Sequence, residues 1–255
     1  ATGTVQIMDG TAVLNTQPLG GNGCAYWYIS PGLAAGTHSL SAFYSGDKNN
    51  AFGWSSPIAV VVQPVPAELG VSCWNTSFPY GGNYQCTVNL SSNAGAVAGN
   101  ITYALDGDPP IAVPLAGGNA QFKVTRAPAG SHTAAISYAL QGNYAAAGPN
   151  LQKFTVTLAP VNVSLTPSSW YTTAGTAITF QAAVGSWSAG PPNSTGSVSF
   201  YDGDTLLSVV PVDGTGSASF SSCVLAVGAH KITANYAEGA NYANGSAGIT
   251  IIVAQ

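Results

Sequence analysis

Charge is what this sequence has least of. Asp, Glu, Lys and Arg make up 5% of its 255 residues, against roughly a quarter in an ordinary globular domain. The cations Lys48, Lys123, Arg126, Lys153 and Lys231 are scattered, so no basic stripe exists that could neutralise a row of phosphates. Nucleic acid is therefore excluded as a partner, and no block of like charge is present to steer an ionic one. Long apolar runs are missing as well. The longest, PIAVVVQPVP, is bounded by prolines and falls far short of the ~20 residues of a membrane helix, so no membrane insertion is expected. Helical periodicity is absent. What remains is a set of short alternating runs such as QFKVTRA, TVQIMDG and SVSFYDG, punctuated by Gly, Pro, Asn and Ser, which indicates an all-β chain of sandwich or barrel strands.

Histidine is equally scarce, and all three copies fall in one pattern. AGTHSLSAFYSGDKNNA, AGSHTAAISYALQGNYA and VGAHKITANYAEGANYA share G-x-H, then Tyr six residues after the His, then Asn five residues later. The repeated positions are His38, His132 and His230, with Tyr44, Tyr138 and Tyr236, and Asn49, Asn143 and Asn241. The histidines lie 94 and 98 residues apart, the length of one small β domain. A second marker repeats upstream in TGTVQIMDG, AGNITYALDG and TGSVSFYDG. Each Asp-Gly reads as the centre of a type I′ hairpin turn, since both central residues need positive φ.

Pro-rich joins at VVVQPVPAELGV and FTVTLAPVNVSL divide the chain into units at 1–64, 65–160 and 161–255. About thirty-five residues precede the hairpin marker in the second and third units, enough for two strands, whereas the first unit begins at its marker. The first sandwich is thus expected to lack its first two strands.

The stretch TGSVSFYDGDTLLSVVPVDGTGSASFSSCVLAVGAHKITANYAEGANYA resembles the bacterial Ig-like tandem-repeat family of secreted adhesins and surface proteins. The resemblance rests on the V-x-F-Y-D-G hairpin, the L-x-x-G-x-H strand start and the Y-x4-N-Y-A turn, and it extends over all three units. It implies tandem immunoglobulin-like β-sandwiches with extracellular display, a stalk or adhesive function and no catalytic residues to carry over; the chain is accordingly read as a non-enzymatic rod, stalk or filament subunit that takes no cofactor. Two departures stand out: Asn50 where the other units have Tyr144 and Tyr242, and ITYALDGD in the second unit.

Each candidate for chemistry has a plainer alternative. Alternation from each His to its Tyr gives the histidines core-facing parity, so they are read as packed, hydrogen-bonded groups. No acid or nucleophile is seen to partner them repeatedly. Taken as buried and neutral, they would make the fold sensitive to acid. Asp106 with Asp108, and Asp202 with Asp204, are read as turn residues, because a calcium loop needs more acids at fixed spacing. Trp27 shares its A-x-[FW] step with Phe122 and Phe220 and is read as core. Trp74, Trp170 and Trp187 do not recur and are the candidates for a carbohydrate or host-protein contact, the rival reading being a carbohydrate-binding module of a secreted enzyme.

Aligning VSCWNTSFPYGGNYQCTVNL with VSLTPSSWYTTAGTAITFQAAV sets Cys73 opposite Leu165 and Cys86 opposite Phe180, both inward. A Cys73–Cys86 disulfide is expected, and with it an oxidising, extracytoplasmic compartment. Cys24 and Cys223 have no partner within their own units. The gap in the first sandwich would be filled by residues upstream of Ala1 or by strands of another copy, and in the second case Cys24 and Cys223 would meet at a head-to-tail junction.

Overall fold

The computed structural model describes residues 1–29, 32–192, 195–222, 224–237 and 239–255. Its strands pair in three groups along the chain. The first group comprises β1 (Thr4–Asp9), β2 (Ala12–Pro18), β3 (Gly36–Tyr44), β4 (Gly53–Trp54) and β5 (Ile58–Val62). These form a single sheet in the order β2-β1-β3, with β4 and β5 both on the far edge of β3.

The middle group holds β6 (Glu68–Trp74), β7 (Ser77–Pro79), β8 (Asn83–Ser91), β9 (Asn100–Leu105), β10 (Ile111–Pro114), β11 (Asn119–Thr125), β12 (Gly130–Tyr138) and β13 (Ala147–Thr157). The third repeats it with β14 (Asn162–Pro167), β15 (Tyr171–Thr173), β16 (Ile178–Gly185), β17 (Ser197–Asp202), β18 (Thr205–Pro211), β19 (Ser217–Ser222), β20 (Gly228–Ala237) and β21 (Gly245–Ala254). Each of these units has two sheets. β10-β9-β12-β13-β7 goes with β11-β8-β6, and β18-β17-β20-β21-β15 goes with β14-β16-β19.

Burial follows from period-2 alternation. On β16, Ile178, Phe180, Ala182 and Val184 point inward and join Val198, Phe200, Ile232, Tyr236, Ile251 and Val253 of the opposite sheet in one core. On β8, Tyr84, Cys86, Val88 and Leu90 do the same with Ile101, Ile136, Tyr138, Phe154 and Val156. In the first unit only Met8 and Leu40 are buried among the hydrophobic residues of β1–β5. Val5, Ile7, Ala42 and Tyr44, on the face that would meet a second sheet, stay half-exposed.

The gap in this unit is wider than two strands. Residues 25–29, which carry the A-x-W step, form no strand; Tyr26 and Tyr28 are exposed, and Trp27 is half-buried rather than core. The Trp27 indole N–H is buried without an acceptor among the described residues. The physical reason lies in the partners: β11 pairs with β8 and β19 with β16, and among the described residues the first unit has no counterpart of β8 or β16. Alternation marks a face but does not make a strand without a ladder to join.

The hairpin expectation also needs correction. In the middle unit Asp106 and Gly107 are the central turn residues, with φ of 51° and 87°. In the other two, Asp9 pairs with Ala12 and Asp202 with Thr205 as the last residues of their strands. The turn there begins at Gly10 or Gly203, at φ of 54° and 58°, so positive φ falls on the leading Gly alone. The extra residue in ITYALDG carries the aspartate out of the strand and into the turn.

Cys73 and Cys86 are directly opposite one another on β6 and β8 and are disulfide-bonded. The register sets Cys73 at the place of Pro167, which lies opposite Phe180, not at that of Leu165. A shift of two residues keeps the same face, which is why the inward reading survives the misalignment.

Candidate functional site

The repeated residues build the same three devices in each unit. The first joins the aspartate of the hairpin to the histidine. Asp9 is at the end of β1 opposite Leu40, and His38 lies two residues further along β3 on the same face, within diagonal reach across the sheet. The Nδ1 atoms of His38, His132 and His230 each lie 2.6 Å from Oδ2 of Asp9, Asp106 and Asp202. On the other side of each ring, Nε2 meets a backbone carbonyl oxygen: Ala34 at 2.8 Å, Pro128 at 2.8 Å and Ala226 at 2.7 Å. The free aspartate oxygen accepts the Ser39 N–H in the first unit and the Thr133 N–H in the middle one.

This arrangement favours the charged ring: a carbonyl and a carboxylate only accept, and an imidazolium, which donates from both nitrogens, satisfies the two contacts at once. The bond to Asp9, then the Ala34 carbonyl, raises the His38 pKa. For His132 burial pulls the other way, but the bonds to Asp106 and to the Pro128 carbonyl outweigh it and the pKa rises. The same holds for His230, with the Ala226 carbonyl and Asp202 as the opposing bonds. His38 and the Ser39 N–H lower the Asp9 pKa. Burial opposes the Asp106 anion, but His132 and the Thr133 N–H more than compensate, and its pKa falls too.

One expectation is thereby overturned: the histidines do have a repeated acid partner. The condition of a neutral ring runs against the raised pKa values. With Nε2 committed to a carbonyl, none of the rings has a nitrogen free to act as a general base. One acid of each D-G-D pattern is spent on its histidine. Among the described residues no group of three or more His, Cys, Asp or Glu side chains is arranged to hold a metal ion.

The second device is the tyrosine. Hydroxyls of Tyr44, Tyr138 and Tyr236 donate to the carbonyls of Thr2, Ala98 and Thr195 at 2.5, 3.0 and 3.0 Å. Each tie fixes the chain just before the first strand of the hairpin. The residue after it is Gly3, Gly99 or Gly196, at φ of 106°, 112° and 81°. At Gly196 a Cβ would also sit 2.5 Å from the Ala237 carbonyl oxygen, so only Gly fits.

The third device joins one unit to the next through the repeated asparagine. Asn143 Oδ1 accepts the N–H of Ala35, the residue before β3, and Asn241 Oδ1 accepts that of Ala129, the residue before β12, both at 2.8 Å. The backbone of the same two asparagines holds the linkers. Val65 N–H donates to the Asn143 carbonyl and Ala159 N–H to that of Asn241, each at 2.8 Å; Ala145 and Ala243 return bonds to Val65 and Ala159 at 2.9 Å. At the second joint Tyr80 meets Tyr242 edge-on at 5.8 Å. A Cβ on Gly81 would strike the Ser188 carbonyl, so the units approach there to backbone contact.

The remaining candidates stand apart. Trp74 ends β6, Trp170 precedes β15 and Trp187 follows β16; they are exposed by 43%, 51% and 83%. No ring contact joins them among the described residues. Trp170 and Tyr171 line an open cleft of about 650 Å³ with Ser168, Thr250 and Ile252. Cys24 is an exposed free thiol, and Cys223 lies outside the described residues.

The sequence profile of the bacterial Ig-like domain (group 3) matches residues 1–63 and 163–254, more than half of the chain. The chain belongs to the bacterial Ig-like domain family. The middle stretch lies outside the match and is the one with the disulfide and the longer hairpin strand. No curated protein matches.

Among solved structures, the Yersinia pseudotuberculosis adhesin InvE is similar at 14% identity and a TM-score of 0.39, over 72% of this chain and 58% of that one. The chain thus spans little more than half of InvE. The fibronectin(III)-like modules of Clostridium thermocellum CbhA are similar at 14% identity and a TM-score of 0.32, over 73% and 95%. The Escherichia coli adhesin FdeC gives 13% identity and a TM-score of 0.34, over 87% and 74%.

Proposed function

We propose that this chain is a segment of a non-enzymatic, extracellular structural protein: a surface rod or stalk in which Ig-like units are held at a set angle to one another. The observation that carries this reading is the twice-built joint, in which Asn143 and Asn241 take the same backbone N–H of the preceding unit at the same distance. A flexible string of domains would have no use for a repeated bond across its linkers. Pro64 and Pro66 flank Val65, and Pro160 follows Ala159, stiffening each linker further. The disulfide fits an oxidising compartment, and bacterial surface display is the setting the family suggests. Each His–Asp pair acts as a clamp between hairpin and strand rather than as a catalytic couple.

Small-angle scattering of the dilute chain tests the reading. The wild type should fit one conformation, and an Asn143→Ala/Asn241→Ala variant should require a distribution of inter-unit angles. A wild type already as flexible as the variant overturns it.

A carbohydrate contact is the second reading, favoured by the exposed Trp170–Tyr171 cleft. Pull-down on insoluble polysaccharide that Trp170→Ala abolishes would support it, and no retention of the wild type would remove it.

A further inference from the structure

The chain enters each covered unit through an edge strand of one sheet and then an edge strand of the other, β6 then β7 and β14 then β15, and it leaves through β13 or β21. β7 lies parallel to β13 and β15 parallel to β21. Thr155 N–H donates to the Thr76 carbonyl and Tyr80 N–H to that of Thr157, both at 2.8 Å; Ile252 N–H donates to the Trp170 carbonyl at 3.0 Å and Ala174 N–H to that of Ala254 at 2.9 Å. In a rod under tension an entering strand is drawn toward its own N-terminus and a leaving strand toward its C-terminus. For a parallel pair these directions are opposed along one axis, so the ladder is loaded in shear and its bonds resist together.

The entering strands are nevertheless the weak side. Each has a partner on one side only, whereas β13 and β21 are held between two strands, and β7 and β15 are only three residues long. In the third unit Pro167 of β14 stands opposite Phe180, and hydrogen bonds and packing alone hold that edge. In the middle unit the same register is occupied by Cys73 and Cys86, which are bonded. Tension arriving along β6 therefore reaches Cys73 near the strand's end and crosses to Cys86 on β8. β8 is the central strand of its sheet, anchored in the core by Tyr84, Val88 and Leu90. Residues 74–85, β7 among them, lie within the closed loop and are bypassed by the tension while the bond holds.

We infer that the Cys73–Cys86 bond is a load-bearing staple: it passes tension from edge strand to central strand and closes the route by which an entering edge is pulled away, so that the third unit yields before the middle one. The inference rests on the rod reading above and adds where such a rod gives under load. It differs from ordinary stabilisation by a cross-link, which in the chain-entropy model acts on the unfolded chain and would leave the rate of escape from the native state unchanged.

Extension of single 255-residue chains at constant force, tethered at both ends, tests this, because forced unfolding follows the unfolding rate and not the equilibrium stability. In the oxidised chain the middle unit is recognised by a step shorter than the third unit's by about 40 Å, the length of the closed loop. That step should come after the third unit's. The wild-type chain folded and held in reductant keeps every side chain and loses only the bond. Its late, short step should be replaced by a second full-length step at least about tenfold sooner, with the third unit's lifetime unchanged. Ala174→Pro, which removes the bond to Ala254, should shorten the third unit's lifetime about three- to tenfold, the loss of one hydrogen bond. A middle unit with the same lifetime in both redox states, even where reduction lowers its urea midpoint, overturns the inference. So does an oxidised middle unit that yields before the third, or an Ala174→Pro chain whose third unit keeps the wild-type lifetime. None of these results bears on the rod reading, which is tested at rest through Asn143 and Asn241.

Discussion

The first and third units contain the same hairpin sheet, bare in one and covered in the other. β2-β1-β3 with β5 corresponds strand for strand to β18-β17-β20 with β21, and Val5 and Ile7 occupy the positions of Val198 and Phe200 by register. In the third unit those positions are fully buried beneath β14-β16-β19; in the first they remain half-exposed. The polar devices do not notice the difference. His38–Asp9 and His230–Asp202 have the same 2.6 Å bond, and Tyr44 makes its backbone tie as Tyr236 does. Clamp, tyrosine tie and hairpin are properties of one sheet. The core is a property of two.

That division orders the expected effects of change. Phe200→Ala should cost the third unit about 3–5 kcal/mol, the usual loss for an aromatic side chain in a packed core, whereas Ile7→Ala at the matching position of the bare sheet should cost no more than about 1 kcal/mol. Urea titrations that resolve the units would check this, and equal losses would mean that the first sheet is covered after all. Removing both Cys73 and Cys86 by substitution with Ala should lower the stability of the middle unit by about 2–5 kcal/mol and leave the third unit's midpoint in place. His132→Ala, which breaks a clamp in a covered unit, should cost about 1–3 kcal/mol without changing the register of β12 with β13, as backbone chemical shifts would report.

The smallest effect is that of pH. A raised histidine pKa means that the clamp's contribution is complete below the unfolded value of about 6.5 and is lost as pH rises through the folded one. The lowered pKa values of Asp9 and Asp106 mean that their share is present above the unfolded carboxylate value of about 3.9 and is lost as pH falls through the folded one. Urea midpoints of the middle unit should therefore hold between about pH 4 and 6.5 and decline above it. A midpoint that fell on moving from neutral to mildly acid solution would show the histidines to be neutral.

Much of this fold is legible in the sequence because its strands announce themselves by alternation and its copies by three rare histidines. The clamp was harder to see. Asp9 and His38 are each visible as repeated residues, but their contact depends on folding β1 back onto β3 in the correct register, and an Asp before Gly already has an explanation as a turn residue. The length difference between VSFYDG and ITYALDG was the available sign that the aspartate, rather than the turn, keeps its place. Trp27 misleads for the opposite reason: GCAYW has the pattern of GSASF, but the pattern carries no information about a missing neighbour. The asparagine joint was legible only as a repetition, since nothing in a Y-x4-N spacing says that the side chain crosses to another unit.

The claim that one sheet is present in all three units, covered in two and bare in the first, is tested most directly by hydrogen exchange of the native 255-residue chain read by mass spectrometry. Exchange under native conditions reports local opening. The account predicts that amides of β17 and β20 are strongly protected, while those of β1 and β3 exchange far faster despite the same ladder. Equal protection of the two sheets would contradict it.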